Sequence, residues 1–164
     1  MIKNNSISYN TFMRFMPFIL AQEGGFSDDK NDSGGRTNFG ILEREYRAYT
    51  GKPNANIEHI SMDEVFAIYY NKYWLPSGAD NLPEGLNVTH FDTAVNLGLS
   101  QAATCLKRTH RDGWSGKALA FAYLADRSAV YDKIVQAHPQ DKAFIHGWDN
   151  RLAALKALVE KVTA

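Results

Sequence analysis

The chain has 164 residues, 45% of them hydrophobic, which is enough for one domain with a substantial core. Its 18 basic and 18 acidic residues leave no net formal charge, so there is no global basic field to steer it onto nucleic acid, and binding has to come from a local groove. Cys105 is the single cysteine, which excludes an intramolecular disulfide and any cysteine-pair metal or redox centre.

Phe12, Phe15 and Ile19 recur at three- and four-residue steps and predict an amphipathic helix that carries Gln22 and Glu23 at its end. Pro17 falls inside this pattern, where it removes one backbone hydrogen bond and kinks or restarts the helix. Gly24 and Gly25 then stop it, supplying the left-handed conformation of a C-cap and leaving Glu23 in the last turn. A carboxylate there meets the negative end of the helix dipole, which disfavours its ionised form and suits a proton donor working near neutral pH. A lone Glu before Gly-Gly is ordinarily a solvated helix-end residue, but the segment that follows alters that reading. Turn formers and polar residues dominate from Asp28 to Gly40, and Asn38-Phe39-Gly40-Ile41 returns to apolar character. This predicts a short β-hairpin or ordered loop folded back over the helix end. Such a loop brings Asp32 and Thr37 near Glu23. A second carboxylate opposite the first is what an inverting glycosidase needs to activate water, and a threonine hydroxyl can hold that water in line.

Leu42 to Tyr49 reads as a short amphipathic helix closed by Gly51 and Pro53, with Asn54 to His59 as connector. Ser61-Met62-Asp63-Glu64 is a capping box opening a helix that runs to about Trp74 and ends before Pro76. Thr89 to Leu97 is apolar enough for a buried central helix ended by Gly98, and Ser100 to Arg111 follows. Lys117 to Ala137 and Asp141 to Val162 close the chain as two long helices separated by Pro139.

Three clusters in these later helices bear on function. Tyr69, Tyr70, Tyr73 and Trp74 form an aromatic stripe of the kind that usually packs in a core; helical period puts Tyr70 with Trp74 on one face and Tyr69 with Tyr73 on another, and one pair, Tyr70 and Trp74 by preference, is able to stack on sugar rings. Asp92 and Asn96 share one face of the buried central helix, where they either bond partners across the domain centre or line a sugar groove. Trp148 and Arg151 are expected to pack. Lys107, Arg108, His110 and Arg111 make the one basic cluster, read as a solvated face or as a contact for anionic wall polymer or phospholipid headgroups. The five histidines show no ligand spacing, so no metal and no cofactor are expected.

Taken together, Glu23-Gly24-Gly25-Phe26 and Asp32-Ser33-Gly34-Gly35-Arg36-Thr37-Asn38-Phe39-Gly40-Ile41 resemble the signature of glycoside hydrolase family 108, the peptidoglycan N-acetylmuramidases found among phage endolysins and bacterial secretion activators. Tyr69 to Trp74, Phe91 to Gly98 and Phe144 to Arg151 are similar to the family's later blocks, in its order, so the resemblance spans about Phe12 to Leu155. It implies a mainly α, lysozyme-like single domain over residues 1–164, with the part from about 85 to 164 resembling the family's C-terminal peptidoglycan-binding region packed into that same domain. It also implies Glu23 as the catalytic acid and peptidoglycan glycan strands as the partner; a monomer is expected. Phe26 stands where the family often has Tyr, which removes a hydroxyl from a substrate-facing aromatic.

The early apolar run from Phe15 to Ala21 leads straight into Glu23, so removing it as a signal peptide would delete the helix that the site needs. Synthesis in the cytoplasm without a signal peptide is expected, and no stretch reaches bilayer length for stable membrane insertion. Action on the wall then implies a holin or secretion system for export. Within the enzyme reading, inverting hydrolysis by Glu23, Asp32 and Thr37 stays open beside lytic transglycosylation, which needs one acid. A non-catalytic wall-binding or secretion-helper module, or an all-helical regulator, are the readings of other classes.

Overall fold

The computed structural model describes residues 6–28, 35–109, 111 and 113–164; Asp32 and His110 lie outside them. The architecture is mainly α, with a two-stranded antiparallel hairpin after the first helix, as expected for a lysozyme-like fold. The chain folds as two compact units, residues 1–72 and 73–164.

In the first unit, α1 (Ile7–Glu23) opens on a Ser6 cap whose side chain accepts from the Tyr9 amide. Its Phe12, Phe15, Met16 and Ile19 stripe is buried, and Pro17 is carried within the helix. Gly24 ends it at φ 77°, ψ −173°. That is an extended, glycine-only conformation and not the left-handed cap expected, because the chain leaves α1 in the direction that pairs Ser27 with Thr37. Strands β1 (Thr37–Asn38) and β2 (Ile41–Leu42) follow, joined by Phe39 and Gly40 at φ 50° and 71°, the positive-φ pair that a type I′ turn requires. Next come α2 (Glu43–Thr50) and α3 (Met62–Tyr69), the latter opened by the Ser61 and Glu64 capping box.

The expected stop before Pro76 is absent. After α3 the chain takes a π-helical turn over Tyr70–Trp74 and resumes as α4 (Leu75–Ser77), with Pro76 inside. The wider turn relieves the clash of the proline ring with the carbonyl four residues back, and the missing proline N–H leaves no hydrogen bond to break there.

In the second unit, α5 (Leu86–Leu97) is buried on nearly every side and is surrounded by α6 (Leu99–Thr109), α7 (Gly116–Ala137) and α8 (Ile145–Val162). Helix α5 starts at Leu86, three residues earlier than its apolar pattern indicates, behind a Gly85 cap where a side chain would strike Thr163. Helix α8 starts later than expected because Pro139–Phe144 forms a 3-10 turn. No helix among the described residues is long and apolar enough to cross a membrane.

Candidate active site

Glu23 is the last residue of α1 and is half-buried, with its Oε1 removed from solvent. What surrounds it is fixed by the hairpin turn. A β-carbon on Gly40 would lie 2.8 Å from Glu23 Oε2, 3.0 Å from Glu23 Cβ and 2.9 Å from Tyr69 Oη. Gly40 is therefore bare for two reasons: its φ is positive, and two functional groups converge on the space a side chain would take. Tyr69 Oη donates to the Phe39 carbonyl at 2.7 Å, so the buried tyrosine pins the strained, non-glycine half of the turn. Glu23 is thus not a solvated helix-end glutamate; the turn and Tyr69 hold it in a confined position.

The rest of the hairpin is anchored from below. Asn38 Nδ2 donates to the Ile57 carbonyl at 3.3 Å, and the Ile57 amide donates to Glu43 Oε1 at 3.3 Å. Arg36 bridges Glu43 at 3.1 Å and Glu58 at 3.0 Å. The side-chain hydrogen bond to Asn56, followed by the bond to Arg36, holds the Glu58 carboxyl below its ordinary range. Thr37 is half-buried in β1, its backbone exchanging two 2.9 Å hydrogen bonds with Ser27. Phe26 is 44% exposed, with the Arg36 guanidinium 5.3 Å from its ring centre, a cation–π contact that orients an otherwise open aromatic face. Glu23, Thr37 and Phe26 therefore belong to one helix-end and hairpin assembly.

Four other sequence-based candidates sit elsewhere and are corrected. Tyr70 is buried and makes edge contacts at 5.1 Å with Tyr9 and Phe12. Trp74 is fully buried, its ring 5.2 Å from Phe91 in a T-shaped contact. Neither has a face to offer a sugar. Helical period sets them on one stripe, and core packing takes up both rings.

Asp92 and Asn96 are taken up by partners on other helices. Asp92 is wholly buried and accepts from Arg127 Nη1 at 2.6 Å and from Arg151 Nη2 at 2.8 Å, with Arg151 Nε 3.1 Å from both its oxygens. Asn96 Oδ1 accepts from the Tyr131 hydroxyl at 2.7 Å and from Arg127 Nη2 at 3.2 Å. Burial pushes the Tyr131 hydroxyl above its ordinary value. A charge taken out of water needs such partners, and this network is structural. Trp148 stacks on Tyr131 at 4.6 Å, a packing role as expected.

Sequence reasoning missed Tyr69 and Gly40 as parts of the site. Tyr69 read as one member of an aromatic stripe, and Gly40 as a turn former; only their meeting at Glu23 gives them meaning.

A comparison with curated proteins returns no match. The solved structure of SagA from Brucella abortus matches with a TM-score of 0.76 and 22% identity, covering 93% of this chain and 95% of that one, a likeness of fold. The glycosyl hydrolase 108 family model matches residues 16–98, just over half of the chain and including Glu23, the hairpin and Tyr69. With that match laid over the confined carboxylate and its hairpin, the chain belongs to glycosyl hydrolase family 108 and is a glycoside hydrolase.

Proposed function

We propose that the protein is a peptidoglycan hydrolase that cuts the β-1,4 bond between N-acetylmuramic acid and N-acetylglucosamine, with Glu23 as general acid. The observation that carries this reading is the confinement of the Glu23 carboxylate against the bare α-carbon of Gly40. Glu23 gives its proton to the glycosidic oxygen as the bond from that oxygen to the anomeric carbon breaks. Water attacks the anomeric carbon from the opposite face and passes a proton to a second carboxylate. We assign that carboxylate to Asp32, with the Thr37 hydroxyl holding the water. For inversion the two carboxyl groups would stand about 6.5–9.5 Å apart. Phe26 supplies an apolar face for a sugar ring. The enzyme is made in the cytoplasm and reaches the wall through a holin or a secretion system.

A zymogram on purified peptidoglycan, followed by mass spectrometry of the products, tests this. Lysis by the parent protein, none by a folded Glu23→Gln variant, and reducing-end muramic acid are expected. An anhydro-muramic product would replace hydrolysis with transglycosylation. Retained lysis by Glu23→Gln would remove Glu23 from the mechanism.

A further inference from the structure

The basic cluster near the end of α6 is no part of the helix-end and hairpin assembly around Glu23, and two of its members line a cavity. Within residues 73–164 a cavity of about 740 Å³ has walls that include Leu82, Leu86, Leu106 and Leu119. Lys107, Arg111 and Trp114 also line it, together with Ser77, Asn81 and His90, and no carboxylate among the described residues does. A smaller hollow of about 270 Å³ shares Arg111 and Trp114 and adds Arg108. Trp114 therefore stands between two hollows and is 51% exposed, a large apolar ring in water.

The charges around it are unequal. Arg108 has Asp126 at 3.8 Å, while Lys107 makes no ion pair among the described residues. Lys107 and Arg108 occupy the last turn of α6. A half-exposed tryptophan beside clustered basic side chains is the composition that settles at a membrane–water boundary, with the ring at headgroup level and the cations on anionic lipid. The cavity selects further. A soluble anion would gain nothing from leucine walls, whereas an acyl chain matches the mainly apolar part of the lining of a cavity whose volume is normal for ligand sites, about 300–1,000 Å³.

We propose that this end of the second unit docks on an anionic phospholipid surface, the cavity accepting one acyl chain while Lys107, Arg108 and Arg111 hold the headgroup and Trp114 lies at the boundary. Docking is peripheral and independent of the Glu23 chemistry.

The test is co-sedimentation of the full chain with vesicles of phosphatidylglycerol and phosphatidylcholine, against vesicles of phosphatidylcholine alone. Binding to the anionic vesicles only is expected. Lys107→Glu should weaken it by about tenfold or more, since each basic residue near such a surface carries several-fold in affinity. Ala103→Trp, at an exposed position lining the cavity, should weaken binding with every charge intact. Brominated acyl chains should quench tryptophan emission in the parent and not in Trp114→Phe. Equal binding to both vesicles, indifference to Lys107→Glu, or parental binding by Ala103→Trp would each overturn the proposal. Full competition by soluble glycerol phosphate would do so too, because no chain would then be required.

Discussion

Gly40 and Glu23 are so close that a single methyl group on the glycine would sit 2.8 Å from the carboxylate oxygen. Gly40→Ala therefore meets two penalties at once. The left-handed φ of 71° costs an alanine on the order of 1 kcal/mol, and the methyl must displace either Glu23 or Tyr69. A shift of about 1 Å in a catalytic group costs on the order of 10²-fold in rate. Gly40→Ala is expected to fold, to melt a few degrees lower, and to lose about that factor in kcat on purified wall. A variant with parental kcat would show that the carboxylate does not depend on this contact.

Tyr69→Phe isolates the hydroxyl from the ring. The ring keeps its place in the core, while the 2.7 Å hydrogen bond to the Phe39 carbonyl is lost and the turn residue at φ 50° loses its restraint. The expected stability loss is about 1 kcal/mol, ordinary for one hydrogen bond. The expected kinetic effect is larger, roughly tenfold in kcat with KM nearly unchanged, because a loosened turn misplaces the acid without altering sugar contacts. Steady-state kinetics on a soluble wall fragment, with urea denaturation alongside, separates the two. A purely structural Tyr69 would lower stability and leave kcat alone.

The parts of this site that were legible from the residues are the local ones. The Phe12, Phe15 and Ile19 period places α1, Gly24 ends it, and the Ser61 and Glu64 pair opens α3, each a contact within a few positions of chain. Asp92 was legible only as a polar group needing partners. Those partners, Arg127 and Arg151, lie 35 and 59 residues away and belong to other helices, and no spacing in a single sequence announces such a pairing. Trp74 differs for another reason: period sets it beside Tyr70 on one stripe, but period alone does not say whether a stripe meets solvent or core, and Trp74 packs on Phe91. Tyr69 and Gly40 fall between these cases, since each was visible in a local role and neither pointed to the other across 29 residues.

Asp92 sits between two buried guanidinium groups. Asp92→Asn keeps the shape and removes the negative charge that Arg127 and Arg151 share in the core. Breaking one partner of a buried pair typically costs about 3–5 kcal/mol. A loss of that size is expected in urea denaturation at neutral pH, with lysis per folded molecule unchanged. The opposite result, normal stability with a raised KM, would return Asp92 to a sugar groove.

His90 makes stability depend on pH. It is 2% exposed; its Nε2–H donates to the Ser77 carbonyl at 3.1 Å, and its Nδ1 faces the Tyr123 hydroxyl at 3.0 Å. Burial pushes the imidazole below its ordinary value of 6.5, and the bond to Ser77 offsets this only in part. The unfolded chain therefore takes up the proton before the folded one does. Stability from this residue is fully present above about pH 6.5 and falls as the pH drops below it, by up to about 1.4 kcal/mol per pH unit. Urea denaturation at pH 7.5, 6.5 and 5.5 should show the parent weakening across the lower interval. His90→Phe should start weaker at pH 7.5, having lost its bonds to Ser77 and Tyr123, and then change less between pH 6.5 and 5.5. If both proteins lost stability in parallel, the proton would be binding somewhere other than His90.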